Sequence, residues 1–284
     1  MRHIFFFKKR LPAVVLGLAV FLLIAAFLSV NAAAQTRVRS EIAIPDIPGY
    51  LTLKCDFHIH SVFSDGDVWP TVRCEEAWRE GLDVLALTDH IEEKYHSYKD
   101  YIKIDRSVPY AEALPYAQSL GLLLIEGGEI TRDMPPGHIN AIFLTDVNAL
   151  DKEDYKEAVG IAAGQGAFIF YNHPGWKGQQ KDGIGKWYPE HTELYLKKQL
   201  HGVEIVNGPE YYPEAHRWCI DKKLTIIADS DEHDPIGMNY EFYKGEHRPV
   251  TLVFAREKTL ESVKEALFAG RTAIYREKSL IGAR

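Results

Sequence analysis

Seven short apolar runs alternate with helical patterns along most of this chain, and that alternation limits the possible folds more than any other feature. The runs are Leu51–His58, Asp83–Thr88, Leu122–Ile125, Ile139–Leu144, Ala167–Tyr171, Gly202–Val206 and Leu224–Ala228. Helical patterns lie between most of them. These are Pro70–Glu80, closed by Gly81; Pro109–Leu120, interrupted by Pro115 and closed by Gly121; Asp151–Ala163; Pro189–Leu200; and Pro213–Lys223. Leu260–Ala269 follows, with Thr259 as N-cap and Gly270 at the stop. Strands that alternate with helices build parallel βαβ units. Seven of them in about 250 residues suit a barrel better than an open sheet. Val250–Phe254 and Thr272–Tyr275 read as further strands outside the barrel or at its rim.

The first forty residues are a separate object. Met1–Arg10 is basic, Leu11–Val30 is an unbroken apolar run, and Asn31-Ala32-Ala33-Ala34-Gln35 offers small residues at Ala32 and Ala34. That order predicts a secretory signal over 1–34 cut after Ala34, and a periplasmic or secreted protein. The run of 20 apolar residues is also long enough to span a bilayer, so an uncleaved N-terminal anchor is the rival. Both readings put the folded part outside the cytoplasm. Residues 35–50 then form an N-terminal segment and 51–284 a single domain. The whole chain has a net charge of -7; without 1–34 it has 29 basic against 40 acidic residues, a net charge of -11. Such acidity argues against a partner as long and anionic as a nucleic acid chain. Cys55, Cys74 and Cys219, an odd number with no CxxC pair, read as buried thiols rather than a disulfide framework. No oligomer signal is evident.

Polar residues gather where the strands end. Strand one runs into Asp56-Phe57-His58-Ile59-His60-Ser61, and side chains two apart on a strand share a face, so His58 and His60 can ligate one metal. Strand two ends Thr88-Asp89-His90, and strand three ends Gly127-Gly128-Glu129. Strand four begins Gly137-His138, strand five ends Asn172-His173-Pro174, and strand seven ends Ser230-Asp231-Glu232-His233. Each motif alone has an ordinary explanation: Asp89, for example, fits a helix N-cap or turn. Together, six of the 12 histidines lie at strand ends, most of them at the C-terminal face where barrel enzymes build their sites.

The order and spacing of these motifs resemble the PHP family, the phosphoesterases related to polymerase-associated domains and histidinol phosphatase. The resemblance covers about Leu51 to Arg276 and includes Ser64-Asp65-Gly66 and the closing Gly270-Arg271-Thr272. It implies an α/β fold, a distorted (βα)7 TIM-like barrel, and three divalent metal ions (Mn, Zn or Fe). The implied ligands are His58, His60, Glu129 and Asp231 for the first; Glu129, His138 and His173 for the second; and Asp65, His90 and His233 for the third. Asp65 stands where some members carry histidine. Asp89 and Asn172 would orient ligands.

The implied chemistry is hydrolysis of a phosphoester by a metal-bridged hydroxide. Glu129 would bridge, Asp231 would orient the nucleophile, and His233 or the third metal would stabilise the leaving oxygen. Three dications would bring the net charge of the exported chain nearer -5, which removes the objection to a small phosphate-bearing substrate. Export and the resemblance favour a small organic phosphodiester; a phosphomonoesterase or nucleotidase of the same family is the alternative. Amidohydrolase barrels also open with His-x-His but typically bridge their metals with a strand-four lysine, whereas here Glu129 takes the bridge. A non-catalytic metal sensor is a further rival. Candidate substrate contacts are Trp176, Lys177, Tyr211 and Arg132. Lys181, Lys186, Arg106 and Arg248 also lie in predicted loops, and Trp187 and Tyr212 near strand ends.

Overall fold

The structure, a computed structural model, describes residues 38–92 and 105–282. The signal or anchor segment 1–34 lies outside the described residues. No helix among the described residues is long and apolar enough to cross a membrane.

Eleven strands form one curled sheet: β1 Leu51–Asp56, β2 Val84–Leu87, β3 Leu123–Ile130, β4 Ile139–Ile142, β5 Phe168–Tyr171, β6 Gly202–Asn207, β7 Glu210–Tyr211, β8 Thr225–Asp229, β9 Val250–Ala255, β10 Thr272–Arg276 and β11 Ser279–Gly282. Among the described residues six α-helices accompany them: α1 Pro70–Arg79, α2 Val108–Leu120, α3 Tyr155–Gly164, α4 Pro189–Leu196, α5 Pro213–Lys222 and α6 Leu260–Phe268. The seven apolar runs become β1 to β6 and β8, the staves of a distorted α/β barrel. Helix α2 runs on through Pro115 instead of breaking there, and ends at Gly121, whose φ of 68° is the left-handed conformation glycine adopts without cost. All three cysteines are free and buried.

The all-parallel expectation fails at strand four. β4 pairs antiparallel with both β3 and β5. Only residues 131–138 separate β3 from β4, too few for the crossover helix that a parallel neighbour needs. The reversal matters for the site. His138 precedes its strand, yet β4 runs downward, so its start lies at the rim where β3 and β5 end.

The barrel closes by a split arrangement. β9 lies antiparallel to β1 along Leu51–Cys55. Beyond the end of β1, the chain instead pairs in parallel with the segment that follows β8. The Asp231 N–H donates to His58 O at 2.9 Å, and the His60 N–H donates to Glu232 O at 3.1 Å. Lower down, the Thr251 hydroxyl on β9 bridges the backbone N–H and C=O of Ala228, both at 2.8 Å. Alternate residues point into the barrel. Leu53, Cys55, Phe57, Val84, Ala86, Ile125, Phe168, Phe170, Ile227 and Val253 form that interior, into which α6 inserts Val263, Ala266 and Leu267. The intervening Leu85, Leu87 and Leu124 face α1 and α2.

Candidate metal centre

The rim gathers all nine predicted ligands. The Nε2 atoms of His58 and His60 lie 3.1 Å apart. Asp231 Oδ1 stands 3.1 Å from the first and 3.0 Å from the second. Glu129 is fully buried at the centre, with Oε1 3.3 Å from His58 Nε2, 3.1 Å from His138 Nδ1 and 3.5 Å from His173 Nε2. Its Oε2 is 2.7 Å from His90 Nδ1 and 3.6 Å from His60 Nε2. Asp65 Oδ2 lies 3.3 Å from both His90 Nε2 and His233 Nε2. Three overlapping groups of donors lie within 4.8 Å of one another: His58, His60 and Glu129; His90, Glu129 and His138; and His60, Asp65, His90 and His233. The second group contains His90 where the sequence reading has His173, because His90 turns its Nδ1 to Glu129. This fits divalent cations. The donors are imidazole and carboxylate with no thiolate, and the Nε2 atoms of His58 and His60 both face the same carboxylate oxygen, Asp231 Oδ1, so that one cation could be held by all three.

Electrostatics points the same way. Burial pushes the Glu129 carboxyl up, but His90, His138 and His58 outweigh burial and hold it well below the usual carboxylate range. Burial likewise opposes ionisation of Asp231, and His58, His60 and His173 overcome it. Burial, with His90 and His233 close by, drives the His60 imidazole down to about 3. His58, His90, His173 and His233 move the other way: despite burial, the carboxylates beside them raise them, so without metal the cluster holds protons that bound cations would displace.

Surrounding groups fix each ligand. Asn172 Nδ2 donates to Glu129 Oε1 at 2.7 Å. Asp89 accepts from the Ser61 N–H at 2.7 Å, the Ser61 hydroxyl at 2.7 Å and the Ser64 hydroxyl at 2.8 Å. It thereby holds the turn that carries His60 and Asp65; it caps no helix. His173 and Asp231 take φ values of 25° and 55°, sparsely populated for residues with a Cβ. The backbone is bent at two ligand positions, and hydrogen bonds hold it there.

Two anchors escaped the sequence reading. Glu204 is fully buried on β6, accepting from His58 Nδ1 at 2.7 Å, the His173 N–H at 2.7 Å and Asn207 Nδ2 at 2.9 Å. A β-bulge after Glu204 shifts the register. Val203, Ile205 and Val206 therefore all face the outer core, while Glu204 and Asn207, three apart, both reach the site. The available signal was an acid inside the apolar run Gly202–Val206. Arg73 on α1, also fully buried, donates to four backbone carbonyls: His60 at 2.8 Å, Glu232 at 3.0 Å, His233 at 2.6 Å and Asp234 at 2.8 Å. It ties the two main ligand loops together.

A cavity of about 410 Å³ opens onto the ligands, and Trp176, Asn207, Pro209 and Glu210 complete its wall. Of the four expected substrate contacts, only Trp176 lines it. Arg132 is turned away to the carbonyls of Thr131 and Lys152 and to Glu92. The Tyr211 hydroxyl points to His216 Nδ1 at 2.8 Å. Lys177 is exposed and folds over Gly183. Arg248 is a larger departure. It does lie in a loop, just before β9, but it is fully buried there and bonded to Glu80 and Asp56. Arg106 binds Ile91 O and Asp151. Trp187 packs edge-on to Trp218.

A barrel rim crowded with imidazoles and carboxylates defines the class of metal-dependent hydrolases. No family model matches the chain. A crystal structure from Bacteroides vulgatus, described as a two-domain protein containing a predicted PHP-like metal-dependent phosphoesterase, is 54% identical, with a TM-score of 0.83 over 87% of this chain and 71% of that one. A second structure, of a metal-dependent phosphoesterase so described from Bifidobacterium adolescentis, is 17% identical with a TM-score of 0.49 over 63% and 87% of the two chains. Among curated proteins, a 5'-3' exoribonuclease from Haemophilus influenzae is 36% identical over 81 residues, 28% of this chain and 24% of that protein. The match thus spans about a quarter of that relative's length. The chain belongs to the PHP-like metal-dependent phosphoesterases.

Proposed function

We propose that the protein hydrolyses a small organic phosphodiester at a site that holds three divalent ions, outside the cytoplasm. The observation that carries this reading is the convergence of nine imidazole and carboxylate side chains on one rim, seven of them in overlapping groups that share His60, His90 and Glu129, with His173 and Asp231 beside them. When bound there, divalent cations supply an acidified water and positive charge against the phosphoryl oxygens. The chain's own residues do the rest. Glu204 keeps His58 in the tautomer with Nε2 free. Asn172 and Asn207 aim Glu129 and Asp231. His233, whose Nδ1 donates to Asp231 O at 2.8 Å, keeps Nε2 as the atom that would ligate an ion together with Asp65 and His90.

The cavity wall supports a diester over a monoester. No lysine or arginine among the described residues lines it, and Glu210 adds a carboxylate. A monoester dianion needs more compensating charge than a singly charged diester. The acidic exterior supports a small substrate over long nucleic acid. Metal analysis combined with p-nitrophenyl phosphate mono- and diesters tests the proposal. Metal-dependent turnover of the diester, faster than of the monoester, is expected. Loaded protein that turns over neither would refute it, and monoester preference would favour the phosphomonoesterase or nucleotidase reading.

A further inference from the structure

Two walls of the cavity take no part in holding ligands. One carries the indole of Trp176, 44% exposed, with its ring centroid 5.7 Å from that of His138 and 5.4 Å from that of His173. The other carries Glu210, on β7. Tyr212 connects them. Its buried ring lies so close to Gly175 that a Cβ there would meet it at 2.8 Å, and its hydroxyl donates to Glu210 Oε2 at 2.6 Å. The carboxylate is therefore held in place, tied to the loop that carries the tryptophan.

Bound cations would offset the phosphate from the ligand side, but a fixed carboxylate on the cavity wall still disfavours an anionic ester unless the substrate also carries positive charge toward it. The described wall offers no lysine or arginine to offset it. An exposed indole face next to a carboxylate is the arrangement that binds organic ammonium groups, through the ring quadrupole and the opposite charge together. We infer that one organic arm of the substrate is a cation, an ammonium or trimethylammonium alcohol, seated between Trp176 and Glu210. The inference rests on the phosphodiester reading and sharpens it. In the reaction, water forms the new P–O bond and the bond to one alcohol breaks. A proton from the water ends on that alcohol, and the cationic arm keeps its charge throughout. A polyol arm would also stack on an indole and bond to a carboxylate, but it would leave the carboxylate uncompensated beside the phosphate.

The test uses the metal-loaded protein and matched p-nitrophenyl phosphodiesters. Their second arm is choline, ethanolamine, glycerol or 3,3-dimethylbutanol, the uncharged carbon isostere of choline. The choline ester should show kcat/KM about tenfold or more above its isostere, a ratio that added salt reduces. Glu210→Gln should bring that ratio to within about twofold. Trp176→Leu should cost the choline ester more than the ethanolamine ester. Calorimetry should detect choline, but not 3,3-dimethylbutanol, binding to the wild-type protein and not to Glu210→Gln. Equal rates for the charged ester and its isostere, or a faster glycerol ester, would overturn the inference and leave the phosphodiesterase reading intact. Turnover of no ester by loaded protein would remove both.

Discussion

Glu204 offers the sharpest test of how the barrel builds its metal site. It touches no substrate and lines no cavity, but it accepts from His58 Nδ1 at 2.7 Å and from the His173 backbone N–H at 2.7 Å. Glu204→Gln preserves shape and removes an acceptor. The amide oxygen can serve either His58 Nδ1 or, on the other side, the His173 N–H and Asn207 Nδ2; toward the remaining side it presents an N–H. If the N–H faces His58, that imidazole must move its proton to Nε2, the atom 3.1 Å from Asp231 Oδ1, and His58 ceases to be a ligand. If it faces His173, a buried backbone N–H loses its partner, at a cost of about 1–3 kcal/mol. Loss of such an outer partner typically weakens metal binding by roughly 10- to 100-fold, about 1.4–2.7 kcal/mol. The assay is metal titration of both proteins, with unfolding followed with and without metal. The variant should fold without metal and lose most of the metal-dependent rise in its unfolding midpoint. Wild-type affinity and stoichiometry in Glu204→Gln would show that the hydrogen bonds to His58 and His173 are incidental, and the tautomer argument would fall.

Other perturbations have equally definite outcomes. Glu129→Ala should abolish metal loading and turnover, as measured by elemental analysis and diester hydrolysis; an active variant would contradict the shared role of that carboxylate. Arg248→Met strands Asp56 and Glu80 in the core, at a cost of about 3–5 kcal/mol, or roughly 6–20 °C in the unfolding midpoint. An unchanged midpoint would mean that water reaches those acids. His191, fully buried, is driven down to about 4 by burial. Its folded value lies below its unfolded one, so its contribution, about 3 kcal/mol at most, is complete above pH 6.5 and is lost as the pH falls toward 4. The stability difference between wild type and His191→Gln should shrink across that window in denaturant titrations, and a constant difference would contradict the assignment.

The alternation of apolar runs made the barrel legible, and the polar residues at strand ends made the metal ligands legible, because both signals are local. What stayed hidden depends on distant partners or on register. The antiparallel course of β4 was readable in principle, since residues 131–138 leave no room for a crossover helix. The inward aim of Asn207 was not, because it follows from a bulge that no local pattern announces. Arg73 and Arg248 resemble solvated cations in sequence. Only the fold shows that one reaches carbonyls some 160 residues away and that the other sits between two buried acids. Tyr211 lies at a strand end as expected, but the short β6–β7 hairpin turns its hydroxyl away from the cavity.

The buried acids form two tiers that meet their charge in different ways. In the lower tier, Asp56 accepts from Arg248 at 2.7 Å and from the Ser230 hydroxyl at 2.6 Å. Asp229 bonds the Phe57 N–H at 2.7 Å. Burial pushes the Asp229 carboxyl well up, with Asp56 and Glu204 adding to it. In the upper tier, Glu129 and Asp231 stay ionised because imidazoles crowd them. The lower tier carries its own cation in Arg248; the upper tier must take its cations from solution. Loss of positive charge therefore has opposite consequences in the two tiers. Arg248 cannot be removed without destabilising the strands that carry the ligands. Chelation should instead leave the barrel folded, with an unchanged far-ultraviolet spectrum, and lower only the unfolding midpoint. A chelated protein that loses its secondary structure would show that the metals hold the barrel itself together, and the division between the tiers would be wrong.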